Sequence, residues 1–439
     1  MQGRSCPSHE ESRTGFRAAR LTLAVVVCVL VLPADGVWKQ QAHLFADDAV
    51  EYDVFGEAVA ISGDTIVVGA IGHKTIPAWE DAGSAYVFVR TGGTWSQQAR
   101  LFADDGATGD HFGGSVAISG DTIVVGAPED NGSAGSAYVF VRTSGVWTQQ
   151  GYLFADDASA FDQFGTSVGI DGDTIAVGAE DDDTAAGNLA GSAYVFARSG
   201  GTWSQQGHLF ADNATENDFF GSSVAVWGDS VVVGAPTANA GVLSGSGAAY
   251  VFTRSGSTWS QQGYLYADDA SGGEWFGTSV AILSNTVVVG EPGDDTFLGG
   301  PDAGSACVFT RSGSTWSQQG HLFADDARPN DEFGGSVAID GNNVVVGAHY
   351  DDTAAAAHAG SAYVFIRDGG GWVQQDHLFA YDAEVEDYFG RSVAISGQVA
   401  VVGADYDDTP DGTRAGSAYV FGFAPLEFFV GPPDLLTGR

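Results

Sequence analysis

The sequence predicts an all-β fold, a seven-bladed β-propeller of four-stranded antiparallel blades whose ring is closed by an N-terminal outer strand in the last blade. Three observations predict it. Seven tryptophans, Trp38, Trp95, Trp147, Trp203, Trp259, Trp316 and Trp372, recur 52 to 57 residues apart. The same text follows each of them, so one supersecondary unit is stacked around a ring. Within each unit the apolar stretches are four in number and too short for a helix with a buried face.

The unit is read most plainly from Phe112. Ser115–Ile118 and Thr122–Ala127 are rich in β-branched residues and bounded by glycine and aspartate, the pattern of buried strands. Gly120 and Asp121 between them signal a tight hairpin, and Asp64, Asp173 and Asp229 hold the same place elsewhere. Ser136–Phe140 forms the third strand. Trp147–Phe154 is a fourth, more polar strand, as suits an exposed outer edge. The repeated region opens at Trp38 with a fourth strand and stops near Phe421 with a third. Seven complete blades therefore require Trp38–Phe45 to finish the blade begun at Phe389.

Phe-Gly pairs stand at Phe55-Gly56, Phe112-Gly113, Phe164-Gly165, Phe220-Gly221, Phe276-Gly277, Phe333-Gly334 and Phe389-Gly390. A Gly-Ala-Pro triplet follows at Gly126–Pro128 and Gly234–Pro236, with altered forms at Gly69–Ile71, Gly178–Glu180, Gly290–Pro292, Gly347–His349 and Gly403–Asp405. Over residues 38–423 this text resembles the FG-GAP repeat of the integrin α-chain propeller. The resemblance implies the propeller fold and an extracellular adhesion or recognition role. It also implies a calcium loop between the first two strands, but that turn carries one carboxylate here, where calcium wants several oxygen ligands. The family's calcium site is therefore not carried over to this chain.

Three regions are expected: a signal peptide over 1–34, the propeller over 37–423, and a C-terminal tail over 424–439. Arg4, Arg13, Arg17 and Arg20 precede the apolar run Leu21–Leu32, and Pro33-Ala34 offers a small-residue cleavage site. The run is short for a membrane span, and a signal-anchor is the alternative to a cleaved signal. A secreted or cell-surface monomer is the reading, with no membrane insertion once the signal is cleaved. Cys307 is then the single cysteine of the mature chain. It stands where other repeats have a tyrosine (Tyr86, Tyr138, Tyr363) and reads as a buried packing residue. Asn131 and Asn213 lie in glycosylation sequons.

The chain carries 56 acidic against 17 basic residues, a formal net charge of −39. That sign excludes nucleic acid as a partner and unassisted binding to an anionic membrane. Strand alternation sends the loops after the second and fourth strands to one face of the disc. The loops after the fourth strand hold Asp47, Asp48, Asp104, Asp105, Asp156, Asp157, Asp268, Asp269, Asp325 and Asp326, which define a ligand face. The loops after the second strand add Asp181, Asp182, Asp183, Asp294, Asp295, Asp351, Asp352, Asp405, Asp407, Asp408 and Asp411, the candidate metal ligands. Arg90, Arg142, Arg198, Arg254, Arg311 and Arg367 fall on the opposite face, so a polarised molecule is expected.

An aspartate repeated at one position has an architectural explanation first, because Asp starts turns and caps backbone amides. So many like charges on one face nevertheless favour divalent cations, and hard oxygen ligands suit Ca2+. No catalytic constellation stands apart from the repeat text, since His43, His208, His321 and His377 recur at one position as scaffold. The expected function is non-enzymatic recognition of an extracellular protein or glycan through the acidic face, assisted by calcium. The alternatives are a lectin-like propeller, for which Trp79, Trp275 and Tyr350 are the nominated loop aromatics, and a structural surface protein adapted to high salt.

Overall fold

In a computed structural model, residues 36–74, 81–241, 243–296, 299–410 and 412–425 are described. The expected signal peptide, Trp79, Asp411 and residues 426–439 of the tail lie outside them.

Seven four-stranded antiparallel sheets form the ring. In the first blade the strands run Phe55–Ser62, Thr65–Ala70, Ser84–Thr91 and Thr94–Leu101, in that spatial order. In the seventh blade Val393–Ser396, Val399–Ala404 and Ser417–Pro425 are followed at the outer edge by Gly36–Leu44. The ring is thus closed by the first of the described strands, as the strand order at the two ends of the repeated region requires.

The second strand is buried throughout, whereas the fourth alternates, which follows from its place at the rim. The core lies between blades. Val124, Ala137 and Val139 of the second blade pack with Phe164, Ile175 and Tyr194 of the third. Across the closure, Val401 and Val420 of the seventh blade pack with Phe55, Ile66 and Tyr86 of the first. No single blade could bury its own apolar faces, so stability belongs to the ring.

The Phe-Gly and Gly-Ala elements are where neighbouring blades meet. Each Phe, buried against its own blade's third-strand aromatics, also bridges in parallel to a glycine of the preceding blade, from Gly83 with Phe112 round to Gly416 with Phe55. Gly113 holds a φ of +104°, and a Cβ there would lie 2.5 Å from Ser84 O. A Cβ on Gly126 would lie 2.0 Å from the Gly165 carbonyl oxygen of the next blade. Backbone passes too close for any side chain, so glycine is obligatory at this joint.

Trp-x-Gln-Gln is a second inter-blade device. The first glutamine (Gln97, Gln205, Gln318) accepts the backbone N–H of the first residue in an Asp-Asp pair (Asp47, Asp156, Asp268) at 2.9 to 3.2 Å. The second (Gln98, Gln150, Gln206) accepts the indole N–H of the next blade's tryptophan at 2.9 to 3.2 Å. Each repeated arginine lies over its tryptophan at 4.8 to 5.3 Å. Arg90, Arg142, Arg198 and Arg254 also donate to hairpin Asp64, Asp121, Asp173 and Asp229 at 2.7 to 2.8 Å. Four of the six arginines expected to charge the opposite face are therefore held beside a hairpin carboxylate, which weakens the expected polarity.

Candidate recognition face

The acidic loops do converge on one face, but their carboxylates divide by position into groups with different work. The carboxylate two residues before each Phe-Gly, aspartate in six blades and Glu274 in the fifth, is buried and typically accepts a backbone N–H three residues upstream. Asp53, Asp162, Asp331 and Asp387 do so at 2.5 to 2.7 Å. Burial pushes Asp331 up to about 7 and Asp162 and Asp387 to about 6, aided by neighbouring carboxylates and opposed by that N–H. These residues lock the loop between blades. The first member of each Asp-Asp pair is clamped to the glutamines described above.

The remaining carboxylates build a recurring site. In the third blade the Tyr194 hydroxyl donates to Asp157 at 2.9 Å and faces Asp182 at 3.2 Å. His208 stacks on Tyr194 with ring centroids 4.2 Å apart. Its Nδ1 is 3.5 Å from Asp157, its Nε2 3.8 Å from Asp182 and 3.0 Å from Ser192 Oγ. Burial by itself would raise the Asp182 carboxyl, but hydrogen bonds from His208, Ser192 and Tyr194 outweigh it and hold it below the ordinary value. The sixth blade repeats the set with Tyr363, Asp326, Asp351, His377 and Ser361, and the seventh with Tyr419, Asp382, Asp407, His43 and Ser417.

The loop after the second strand supplies an Asp-Asp-Thr at each such site: Asp182–Thr184, Asp294–Thr296, Asp351–Thr353 and Asp407–Thr409. These are the blades whose outer strand carries His208, His321, His377 and His43; where Arg100, Tyr152 or Tyr264 replaces histidine, the triplet is absent too. The first aspartate turns inward to the histidine. The second is exposed and accepts a backbone N–H of its own loop, Leu189 to Asp183, Asp302 to Asp295, His358 to Asp352 and Arg414 to Asp408, at 2.8 to 3.1 Å. Asp181 instead lies near Glu180 and Glu129, with burial and those charges raising its carboxyl. Asp181, Asp182 and Asp183 are thus engaged separately. Asp405, at the inner end of its loop, is buried near Glu57 and Arg391, with burial and Glu57 raising it to about 8. Among the described residues, only Glu291, Cys307 and His321 bring three metal-capable atoms within 4.8 Å of one another.

Serine, histidine and aspartate stand here in the order of a hydrolytic triad, four times over. The serines are fully buried, however, and Ser192 and Ser361 donate to Asp182 and Asp351. A nucleophile must reach substrate, and these do not.

Beside each site the chain turns outward at an aromatic residue. Phe45, Phe102, Phe154, Phe210, Tyr266, Phe323 and Phe379 are 39 to 54% exposed, one per blade. Grooves form there. In the third blade one of about 570 Å3 runs between Phe210, His208, Asp183 and Thr184–Ala186. In the sixth, one of about 380 Å3 runs between Phe379, His377, Asp352 and Thr353–Ala355. These rim aromatics are not legible as a site in the sequence, where they look like the ends of edge strands. The pairing of Asp-Asp-Thr with histidine was the signal available. Nearer the ring centre Tyr350 packs edge-on to Tyr388 at 5.3 Å, which meets Tyr406 at 5.1 Å. Trp275 is exposed and takes no part in that cluster. Asn131, exposed, gives its amide to Tyr152 at 2.7 Å and to Asp130 at 3.1 Å, while Asn213 is exposed beside Tyr250 and Tyr264.

Ring, joints and face together define a seven-bladed repeat propeller with a carboxylate-rich loop face. The chain belongs to the FG-GAP repeat family, whose model, described as FG-GAP repeat, matches residues 38–88, 95–140, 147–196, 203–252, 259–309, 316–365 and 372–421. FG-GAP repeats are typical of extracellular proteins, and among the described residues no helix is long and apolar enough to cross a membrane. No curated protein matches the chain. A solved structure titled "Crystal Structure of Mitotic Checkpoint Complex" is similar with a TM-score of 0.51 and 12% identity, over 88% of this chain and 94% of that one. At that identity the likeness concerns the fold alone.

Proposed function

We propose that this propeller is a non-enzymatic extracellular recognition module that binds glycan through the repeated grooves of its acidic face. The observation that carries the reading is the duplication of one groove in the third and sixth blades. Each offers an exposed aromatic ring, Phe210 or Phe379, opposite an exposed carboxylate, Asp183 or Asp352. A sugar presents an apolar C–H face and a hydroxyl edge, and this pairing of surfaces accommodates both. Small residues, Ala185, Ala186, Ala354 and Ala355, keep the grooves open. The buried serines favour binding over hydrolysis. Calcium assistance is part of the proposal, through the exposed second aspartates Asp183, Asp295, Asp352 and Asp408 with a ligand hydroxyl completing the shell.

The test is a glycan array probed with the full chain in calcium and in EDTA, followed by calorimetry on the strongest hit. Phe210→Ala and Phe379→Ala should each weaken binding, and the double variant should weaken it at least tenfold. Equal affinity of parent and double variant, or no retained glycan in either buffer, would overturn the reading and favour a protein partner.

A further inference from the structure

Three departures from the repeat text meet in the fifth blade. Cys307 stands where six blades have a third-strand tyrosine, Glu291 where they have an alanine, and Glu274 where they have the loop-locking aspartate. In the third, sixth and seventh blades the tyrosine hydroxyl lies between the two site carboxylates, 2.9 to 3.2 Å from each. The fifth blade has no such phenol, so His321 alone lies between Asp269 and Asp294, 3.5 Å from each. Glu291 brings a third carboxyl to the same place. It is 1% exposed; Ser305 Oγ donates to Oε2 at 3.3 Å, and Oε1 has no hydrogen-bond partner among the described residues.

We propose that the fifth blade binds a divalent transition-metal ion of the zinc class on Glu291, Cys307 and His321, with Asp294 as the fourth ligand. Donor atoms of Glu291, Cys307 and His321 already lie within 4.8 Å of one another. In a tetrahedral site with bonds of about 2.0 Å to nitrogen and oxygen and 2.3 Å to sulfur, donors stand roughly 3.3 to 3.5 Å apart, so a contraction of at most about 1.5 Å suffices. The spacing of 3.5 Å between His321 Nε2 and Asp294 Oδ2 is that of two ligands on one ion. A thiolate and an imidazole select zinc or cobalt over calcium. Asp269, 3.5 Å from Nδ1, sits where a carboxylate orients a metal-bound histidine. The cleft beside His321, about 570 Å3 and lined by Thr296 and Phe323, provides an entry path.

This inference is independent of glycan binding, and its test needs no glycan. The full chain, stripped with chelator and kept reduced, is titrated with Co2+. One equivalent should give the intense visible bands of a tetrahedral ion together with a thiolate-to-cobalt charge-transfer band, and one equivalent of Zn2+ should bleach both. Cys307→Ser should remove the charge-transfer band. Cys307→Tyr together with Glu291→Ala gives the fifth blade the tyrosine and alanine of the third at these two positions, so it should fold with an unchanged circular-dichroism spectrum and bind more than about a hundredfold more weakly. Absence of a thiolate band in the parent, or its persistence with Cys307 replaced, would overturn the proposal. So would one-equivalent binding retained by the double variant.

Discussion

His43 Nε2 lies 2.7 Å from Ser417 Oγ, joining the first strand of the chain to the last inside one blade. The same pairing occurs within continuous chain as His208 with Ser192 and His377 with Ser361. The seventh blade is therefore assembled from both ends to the pattern of the others.

Removing residues 36–44 exposes the edge of Ser417–Pro425 and uncovers Phe421, which packs in one core cluster with Trp38. The melting temperature should fall by about 5 °C or more relative to the parent, since a domain of this size shifts by roughly 1 °C per kcal/mol lost. A scanning calorimetry trace unchanged by the deletion would refute ring closure as a source of stability.

Gly126→Ala tests the joint between blades. The new Cβ would meet the Gly165 carbonyl oxygen at 2.0 Å and the Ser115 hydroxyl at 2.3 Å, and backbone cannot give way cheaply in a packed ring. A loss of about 3 kcal/mol or more is expected in denaturant melts, beyond the usual range for overpacking. Gly120→Ala, whose Cβ meets open space, is the control for backbone strain alone.

Stability should decline as pH rises from 6.5 to 8 in EDTA. Asp331 at about 7 and Asp405 at about 8 lie above the ordinary value of 3.8, and Glu291 at about 10 above its own 4.5, while Asp162 and Asp387, at about 6, have lost most of their protons by pH 6.5. The native state therefore holds protons that the unfolded chain has lost, and their contribution, full below 3.8, disappears as pH passes the native values. His349, lowered by burial to about 3, acts in the opposite direction, but its effect is largely complete by about pH 6.5. Asp331→Asn keeps an acceptor for the Arg328 N–H and should flatten the slope of melting temperature against pH.

Asp182→Ala and Asp183→Ala should separate architecture from recognition. Asp182 faces the Ser192 and Tyr194 hydroxyls, so its loss removes one buried hydrogen-bond partner from each, leaving them His208 and Asp157, and should cost about 1–3 kcal/mol. Asp183, exposed and holding one loop N–H, should cost less than that while lowering the calcium-dependent part of ligand binding. Melts in calcium and in sodium chloride of equal ionic strength give the comparison. Equal stabilisation of the parent by both salts would assign the acidic face to charge screening instead.

The repeat period, the strand order and the split of the last blade were all legible in the sequence, because a propeller's local text is its global plan. Each blade is short, its strands are sequential, and its hydrophobic alternation can be satisfied in one register. The acidic face followed from strand alternation for the same reason. What the sequence left unsorted was the work of each carboxylate. Asp331, Asp325, Asp326 and Asp352 look alike as text, yet one locks a loop, one is clamped to Gln374, one receives Tyr363 and one holds the N–H of His358 in solvent. Those partners lie 3 to 49 residues away in the chain, and Asp325 and Gln374 meet only because blades are laid side by side. Glu291, Cys307 and His321 meet instead within one blade, through the pairing of its second, third and fourth strands. By itself the sequence determined the ring, since periodicity is local information; only the tertiary structure decided which side chains share a site, since that depends on which strands the ring brings together.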